Sequence, residues 1–97
     1  MVQMSRGVAR QAAELGEHLA GWRKVLDLTT VQVAERAGIT RGTLRAIEAG
    51  TGTASLAATL QVAQALGVLG QLVDSVDPLS SDLGRLRAGL INRKRVR

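Results

Sequence analysis

Arg41 and Arg45 are the two residues of this 97-residue sequence whose type and spacing point most directly to a chemistry. Residues four apart lie one turn apart on the same face of a helix. An arginine there can bond O6 and N7 of a guanine in a bidentate way, which discriminates against other bases by about 1 to 3 kcal/mol. The same pair also fits a solvated helix face that binds nothing, so the surrounding elements must decide between these interpretations.

The two arginines fall within a short predicted helix. Thr40 is a suitable N-cap, Leu44 and Ile47 are the apolar positions that face inward, and Gly50 ends the helix. With the apolar residues directed at a core, the outer side of this helix carries the arginines.

A second short helix precedes it. Thr29 and Gln32 have the spacing of a capping box, and Gly38 stops this helix after about two turns. The small side chain of Ala34 lets the two helices approach, and Gly38 can adopt a positive φ that strains other residues. Two short helices joined by about three residues have the geometry of a helix-turn-helix, whose second helix enters the DNA major groove.

A long first helix supports this pair. Its apolar residues follow one another at steps of three and four, which keeps them on one face. They are Val8, Ala12, Leu15, Leu19, Trp22 and Leu26. This pattern predicts Trp22 as a core residue and not as a platform for base stacking. Gly16 and Gly21 are expected to weaken the helix by about 1 kcal/mol each relative to alanine.

Two more helices complete the predicted domain. Ser55 can cap a fourth helix that ends at Gly67, and a fifth runs from about Leu69 to the turn before Pro78. The sequence therefore predicts an all-α domain of five helices. Its predicted organisation is an N-terminal arm or helix extension at 1–12, the DNA-binding domain at 13–77 and a basic C-terminal tail at 78–97, where leucines at helical spacing permit a brief amphipathic helix.

Positive charge is concentrated in the tail. Six of the thirteen basic residues follow Gly84 with no acid among them, so the remaining seven stand against all eight acids and residues 1–84 carry a net charge of −1. The six are Arg85, Arg87, Arg93, Lys94, Arg95 and Arg97. The tail fits three interpretations: an arm on DNA phosphates, a segment that docks an acidic partner, or a solubilising terminus.

Composition excludes several classes of function. With no cysteine, one histidine, no phosphate-cradling motif and no carboxylates paired for acid–base work, we expect no catalytic residue, no metal site, no cofactor and no enzyme activity. RNA-binding modules use exposed aromatic residues, and Trp22 is the only aromatic residue present. Polar residues interrupt the apolar stretch 56–76 and the N-terminus has no apolar signal region, so we expect a cytoplasmic protein without a membrane span.

The segment Leu28–Gly50, LTTVQVAERAGITRGTLRAIEAG, resembles the helix-turn-helix of the Cro/C1 repressor superfamily, also called the XRE family. The segment 55–68, with its Ser-Leu-Ala-Ala-Thr-Leu start, is similar to the fourth helix of that family. The resemblance covers about residues 13–76. It implies a lambda-repressor-like fold of five helices and a homodimer that binds double-stranded operator DNA, and therefore association with the nucleoid.

The resemblance also implies roles for individual residues. Four positions would face bases in the major groove: Thr40, Arg41, Gly42 and Arg45. Thr43 would lie close to the DNA backbone, and Thr30 occupies the place where the family commonly has a phosphate-binding glutamine. Arg23 and Glu48 match a pair that ties the first helix to the end of the recognition helix in the family.

The tail carries a finer resemblance. Together with Trp22-Arg23-Lys24 and 65–69, the ending Asp77-Pro78 through Arg97 is similar to HipB-type antitoxins, which pair with a HipA-type kinase toxin. The resemblance implies a repressor of its own promoter that also holds a kinase inactive. A stand-alone XRE-family repressor or activator without a toxin partner is the alternative, and the tail would then be dispensable.

Overall fold

Six α-helices form the protein, whose computed structural model describes residues 3–95, with side chains as far as Asn92. They are α1 (Arg6–Val25), α2 (Thr30–Ala37), α3 (Arg41–Ala49), α4 (Leu56–Ala65), α5 (Leu69–Ser75) and α6 (Asp82–Leu86). Two 3-10 helices lie at Pro78–Ser80 and Ala88–Arg95. The all-α prediction is confirmed, and between residues 3 and 95 there is no strand. The predicted domain of five helices corresponds to α1–α5, and α6 lies within the predicted tail, where the leucine spacing permits a brief helix.

The ends of α2 and α3 follow the capping signals of the sequence. The Thr29 hydroxyl accepts a hydrogen bond from the Gln32 amide at 3.0 Å, and the Gln32 side chain accepts one from the Thr29 amide at 2.8 Å, which completes the capping box. Gly38 ends α2 with φ at 71°, and Gly50 ends α3 with φ at 67°. Only three residues therefore separate the two helices, as predicted.

The core is aliphatic and lies where α1 to α4 meet. Leu44, Val33 and Val62 are its largest fully buried side chains, and α2 packs on both α3 and α4. The other core residues are Leu19, Ala34, Ala37, Ile47, Ala63, Leu66 and Val68. The sequence pattern predicts inward positions at Val33, Ala34 and Ala37 on α2 and at Leu44 and Ile47 on α3, and all five are buried. These two helices are therefore anchored on the domain.

Helix α1 crosses α3 at a contact that excludes side chains. A Cβ on Gly16 would lie 2.5 Å from the Glu48 carbonyl oxygen and 2.6 Å from that of Ile47. A Cβ on Gly50 would lie 2.6 Å from the Ala13 Cα. Real Cβ atoms do not approach other atoms so closely, so both glycines permit backbone-to-backbone packing.

The prediction that Trp22 belongs to the core is wrong. Its side chain is 42% exposed, and its neighbours on the predicted stripe, Leu15 and Leu26, are also exposed. Because α1 approaches α3 through Gly16, its buried face turns towards Gly16 and Leu19 and away from Trp22. The apolar stripe of α1 is therefore only partly covered within one chain.

Leu56–Ala65 and Leu69–Ser75 are the only helices in residues 3–95 that together have the length and hydropathy of a membrane span, and a 120° bend separates them. No single helix in that part of the chain is long and apolar enough to cross a membrane.

Candidate nucleic-acid interface

Helix α3 has one buried side and one exposed side. Leu44 and Ile47 are buried in the core, whereas Arg41 and Arg45 are exposed. The spacing that sends the leucine and isoleucine inward sends the two arginines outward, one turn apart. The exposed side of α3 thus offers two guanidinium groups on a support that is held from behind.

The N-terminus of α3 presents two hydroxyl groups next to these arginines. The Thr40 hydroxyl accepts a hydrogen bond from the Thr43 amide at 3.1 Å and lies 2.9 Å from the Thr43 hydroxyl. Gly42 is exposed between them, and the nearest atom to a Cβ there would be the Thr40 hydroxyl at 3.8 Å. No large side chain covers this end of the helix at Gly42, so a nucleic acid can approach its backbone closely.

Thr30 lies at the start of α2, directly after the Thr29 cap, and is exposed. A helix N-terminus carries partial positive charge and attracts phosphate groups. The threonine hydroxyl is short, so a contact from Thr30 requires the DNA backbone to come near the end of α2.

A bidentate ion pair joins α1 to the end of α3. Arg23 Nε donates to Glu48 Oε2 at 2.8 Å and Nη2 donates to Oε1 at 3.2 Å, while Nη1 donates to the Leu28 carbonyl at 3.3 Å. The two side chains are only 15% and 14% exposed. Two parallel bonds fix orientation as well as distance. The pair also neutralises a carboxylate on α3 that would otherwise repel DNA phosphates.

The basic tail is described in part. Arg85 pairs with Asp82 and donates to the Leu79 carbonyl at 3.0 Å, so it holds the tail's own structure together. Arg87 is exposed. The side chains of Arg93, Lys94 and Arg95 lie outside the described part, as does all of Arg97.

Gly16 and Gly50 are the residues of this site that sequence reasoning missed. Gly16 was expected only to weaken α1, and Gly50 only to stop α3, yet their contact sets how α1 crosses the recognition helix. A glycine inside a long helix lowers its stability, and such a glycine often marks a close approach of another backbone. The position of Gly16 inside α1 was therefore a signal for this contact. The described residues contain no group of three His, Asp or Glu side chains placed to hold a metal ion.

A family model described as a helix-turn-helix domain matches residues 14–76, which span α1 from its middle through α5. The match includes the exposed side of α3 and both partners of the ion pair. No curated protein and no solved structure matches the chain significantly.

Proposed function

The chain belongs to the helix-turn-helix domain family and is a DNA-binding regulator, and we propose that it recognises a specific operator sequence in the major groove without enzymatic activity. The observation that carries this proposal is the exposed pair Arg41 and Arg45 opposite the buried Leu44 and Ile47. A recognition helix needs both properties, because base edges are read only by side chains whose support does not move.

In the proposed complex the two arginines read guanines. Thr40 and Gly42 lie at the end of α3 that enters the groove, where the glycine permits close contact with base edges. Thr43 and Thr30 would donate to phosphates from the starts of α3 and α2, and these contacts fix register without reading sequence. Binding to operator DNA would associate the protein with the nucleoid in the cytoplasm.

A homodimer on a palindrome is the second part of the proposal. One α3 reads only a few base pairs, so a two-fold partner that repeats the contact in the next major groove, roughly 34 Å away, gives the required specificity. The apolar residues of α4 and α5 that the sequence offers for a dimer surface are Val62, Leu66, Leu69, Leu72 and Val73. Val62 and Leu66 are buried in the core of one chain, whereas Val73 is 58% exposed. The interface therefore needs apolar residues other than Val62 and Leu66.

The third part of the proposal is an antitoxin role. The chain would repress its own promoter and bind a HipA-like kinase toxin, with the basic tail as the segment that contacts the kinase or DNA. The support is the resemblance of the tail to HipB-type antitoxins and the separation of charge, since the near-neutral body leaves the tail as the main basic surface. A stand-alone regulator of the same family is the alternative that the second experiment below distinguishes.

Arg41→Ala tests base reading. We expect a loss of affinity of roughly 5- to 150-fold for duplexes selected from a random pool, since one bidentate contact contributes about 1 to 3 kcal/mol. The preference at one base pair should also relax. Arg36→Ala is the matched control, because it removes the same charge from an exposed site on α2. Equal losses in the two variants at every base pair would contradict base reading by Arg41.

Glutamine at the last four basic positions, Arg93, Lys94, Arg95 and Arg97, tests the antitoxin role while leaving the leucines of the tail in place. We expect the full chain expressed in its native host to retain a kinase-like protein and its own promoter, and the variant to lose the kinase. If both forms retain only DNA, the chain is a stand-alone regulator. If the affinity for DNA depends less steeply on salt concentration in the variant, the tail contacts DNA phosphates.

A further inference from the structure

The C-terminal arm, defined here as residues 82–95, carries exposed apolar side chains. Leu83, Leu86, Leu90 and Ile91 are all exposed, Leu86 at 83%. The radius of gyration is 16.3 Å and the longest dimension is 48 Å. A compact chain of this length would have a radius of about 13 Å. The arm therefore projects from the domain. Its apolar side chains are exposed to water, which is unfavourable unless another surface covers them.

A hydrogen-bonded turn at residues 77–81, the elbow, sets the direction in which the arm leaves the domain. The Ser80 hydroxyl donates to the Asp77 carbonyl at 2.6 Å, the Ser81 hydroxyl accepts from the Gly84 amide at 3.0 Å, and Arg85 bonds the Leu79 carbonyl. A Cβ on Gly84 would overlap the Pro78 carbonyl, so this turn packs backbone on backbone. This turn thus directs the arm away from the domain instead of letting it fold back.

A groove between α1 and α5 offers a complementary surface. It has a volume of about 280 Å³, and its lining includes Leu15, His18, Trp22, Leu72 and Ser75. The leucine and the tryptophan are exposed there although they lie on the apolar stripe of α1.

Exposed carboxylates adjoin residues that line this groove. Glu14 precedes Leu15 and Glu17 precedes His18 on α1, and Asp74 precedes Ser75 on α5. The arm offers the opposite charge at Arg87, which is exposed.

We infer that the groove of one copy binds the arm of a second copy. The elbow directs the arm away from its own domain, the apolar residues of the arm match those of the groove, and the arm is basic whereas carboxylates adjoin the groove lining. Two-fold symmetry repeats the contact, so each dimer buries it twice. This inference rests on the homodimer proposed above and names the surfaces that form it.

Cross-linking between copies tests the contact directly, because the chain has no cysteine of its own. One chain carries Gly89→Cys in the arm and another, longer by a tag, carries Ser75→Cys in the groove. A short bismaleimide should join the two different chains in the absence of DNA. Gln64→Cys, on the exposed side of α4, is the control partner and should react at least tenfold more slowly.

A second variant measures the contribution of the arm to dimerisation. Leu86→Asp should raise the dimer dissociation constant about a hundredfold, because an aspartate replaces one leucine in each of two contacts. Leu56→Asp, at a leucine that is 72% exposed on α4, should leave it unchanged. Sedimentation equilibrium reports both values.

The outcomes separate this contact from DNA binding. Equal cross-linking to the α4 control, or a dimer unaffected by Leu86→Asp, would overturn the inference. If Arg41→Ala still weakens DNA binding in that event, the proposed DNA-binding function is supported and only the contact between arm and groove is refuted. If the chain dimerises through the arm but binds no DNA, the contact is supported and the proposed function is refuted.

Discussion

Gly50→Ala is expected to lower the free energy of unfolding by about 4 kcal/mol. About 1 kcal/mol comes from placing a side chain at φ 67°, in the left-handed region that alanine disfavours. The rest, about 3 kcal/mol, comes from overpacking, since the new methyl group would lie 2.6 Å from the Ala13 Cα and the backbone of α1 cannot rotate away as a side chain would. A domain of this size has about 5 to 15 kcal/mol of stability, so a large share would be lost.

Gly67→Ala separates the two causes of this loss. Gly67 has φ at 78°, similar to that of Gly50, but a Cβ there would meet no atom within 4 Å. We expect this control to lose only about 1 kcal/mol, the conformational part. Urea unfolding followed by far-UV circular dichroism measures both variants. Equal losses would show that α1 and α3 do not pack backbone on backbone at Gly50.

Gly16→Ala and Gly21→Ala should have effects of opposite sign. Both glycines lie inside α1, where alanine is favoured by about 1 kcal/mol. Gly21 has nothing within 4 Å of its Cβ position, so its substitution should stabilise the protein by that amount. At Gly16 the methyl group would lie 2.5 Å from the Glu48 carbonyl oxygen. We expect overpacking to cost about 3 kcal/mol, the upper range, which outweighs the gain from alanine and leaves a net destabilisation of about 2 kcal/mol.

Thermal and urea unfolding of the two variants provides the check, and stabilisation of the Gly16 variant would refute the close crossing. The crossing also bears on function. A methyl group at Gly16 would push α1 away from the residues that end α3, including Glu48, whose ion pair to Arg23 spans the same two helices. Destabilisation at Gly16 should therefore be accompanied by weaker DNA binding, whereas the Gly21 variant should bind normally.

Local signals were sufficient to predict the helix-turn-helix. The capping box at Thr29, the cap at Thr40 and the glycines at 38 and 50 act within one or two turns of the chain, so their consequences depend little on the rest of the fold. The same holds for the exposure of Arg41, because helical spacing relates it directly to the buried Leu44.

Long-range packing limited the remaining predictions. Periodicity identified a stripe on α1, but which side of that stripe is buried depends on where α3 can approach, and Gly16 decides this. Trp22 was therefore assigned to the core although it is exposed.

The candidate site divides in the same way. The two arginines follow from helical geometry alone, whereas the base and phosphate roles of Thr40 and Thr30, and the pairing of Arg23 with Glu48, were indicated by resemblance. In the structure, Arg23 and Glu48 form two hydrogen bonds with each other. The DNA contacts themselves stay predictions, because they depend on the operator.

The exposure of Trp22 has an optical consequence. Because the chain contains no tyrosine and no phenylalanine, this indole is the sole source of its intrinsic fluorescence and near-ultraviolet absorbance. The emission therefore reports on the groove between α1 and α5, where the ring contacts solvent, and not on the aliphatic core. The protein thus carries a single built-in fluorophore for events at that groove.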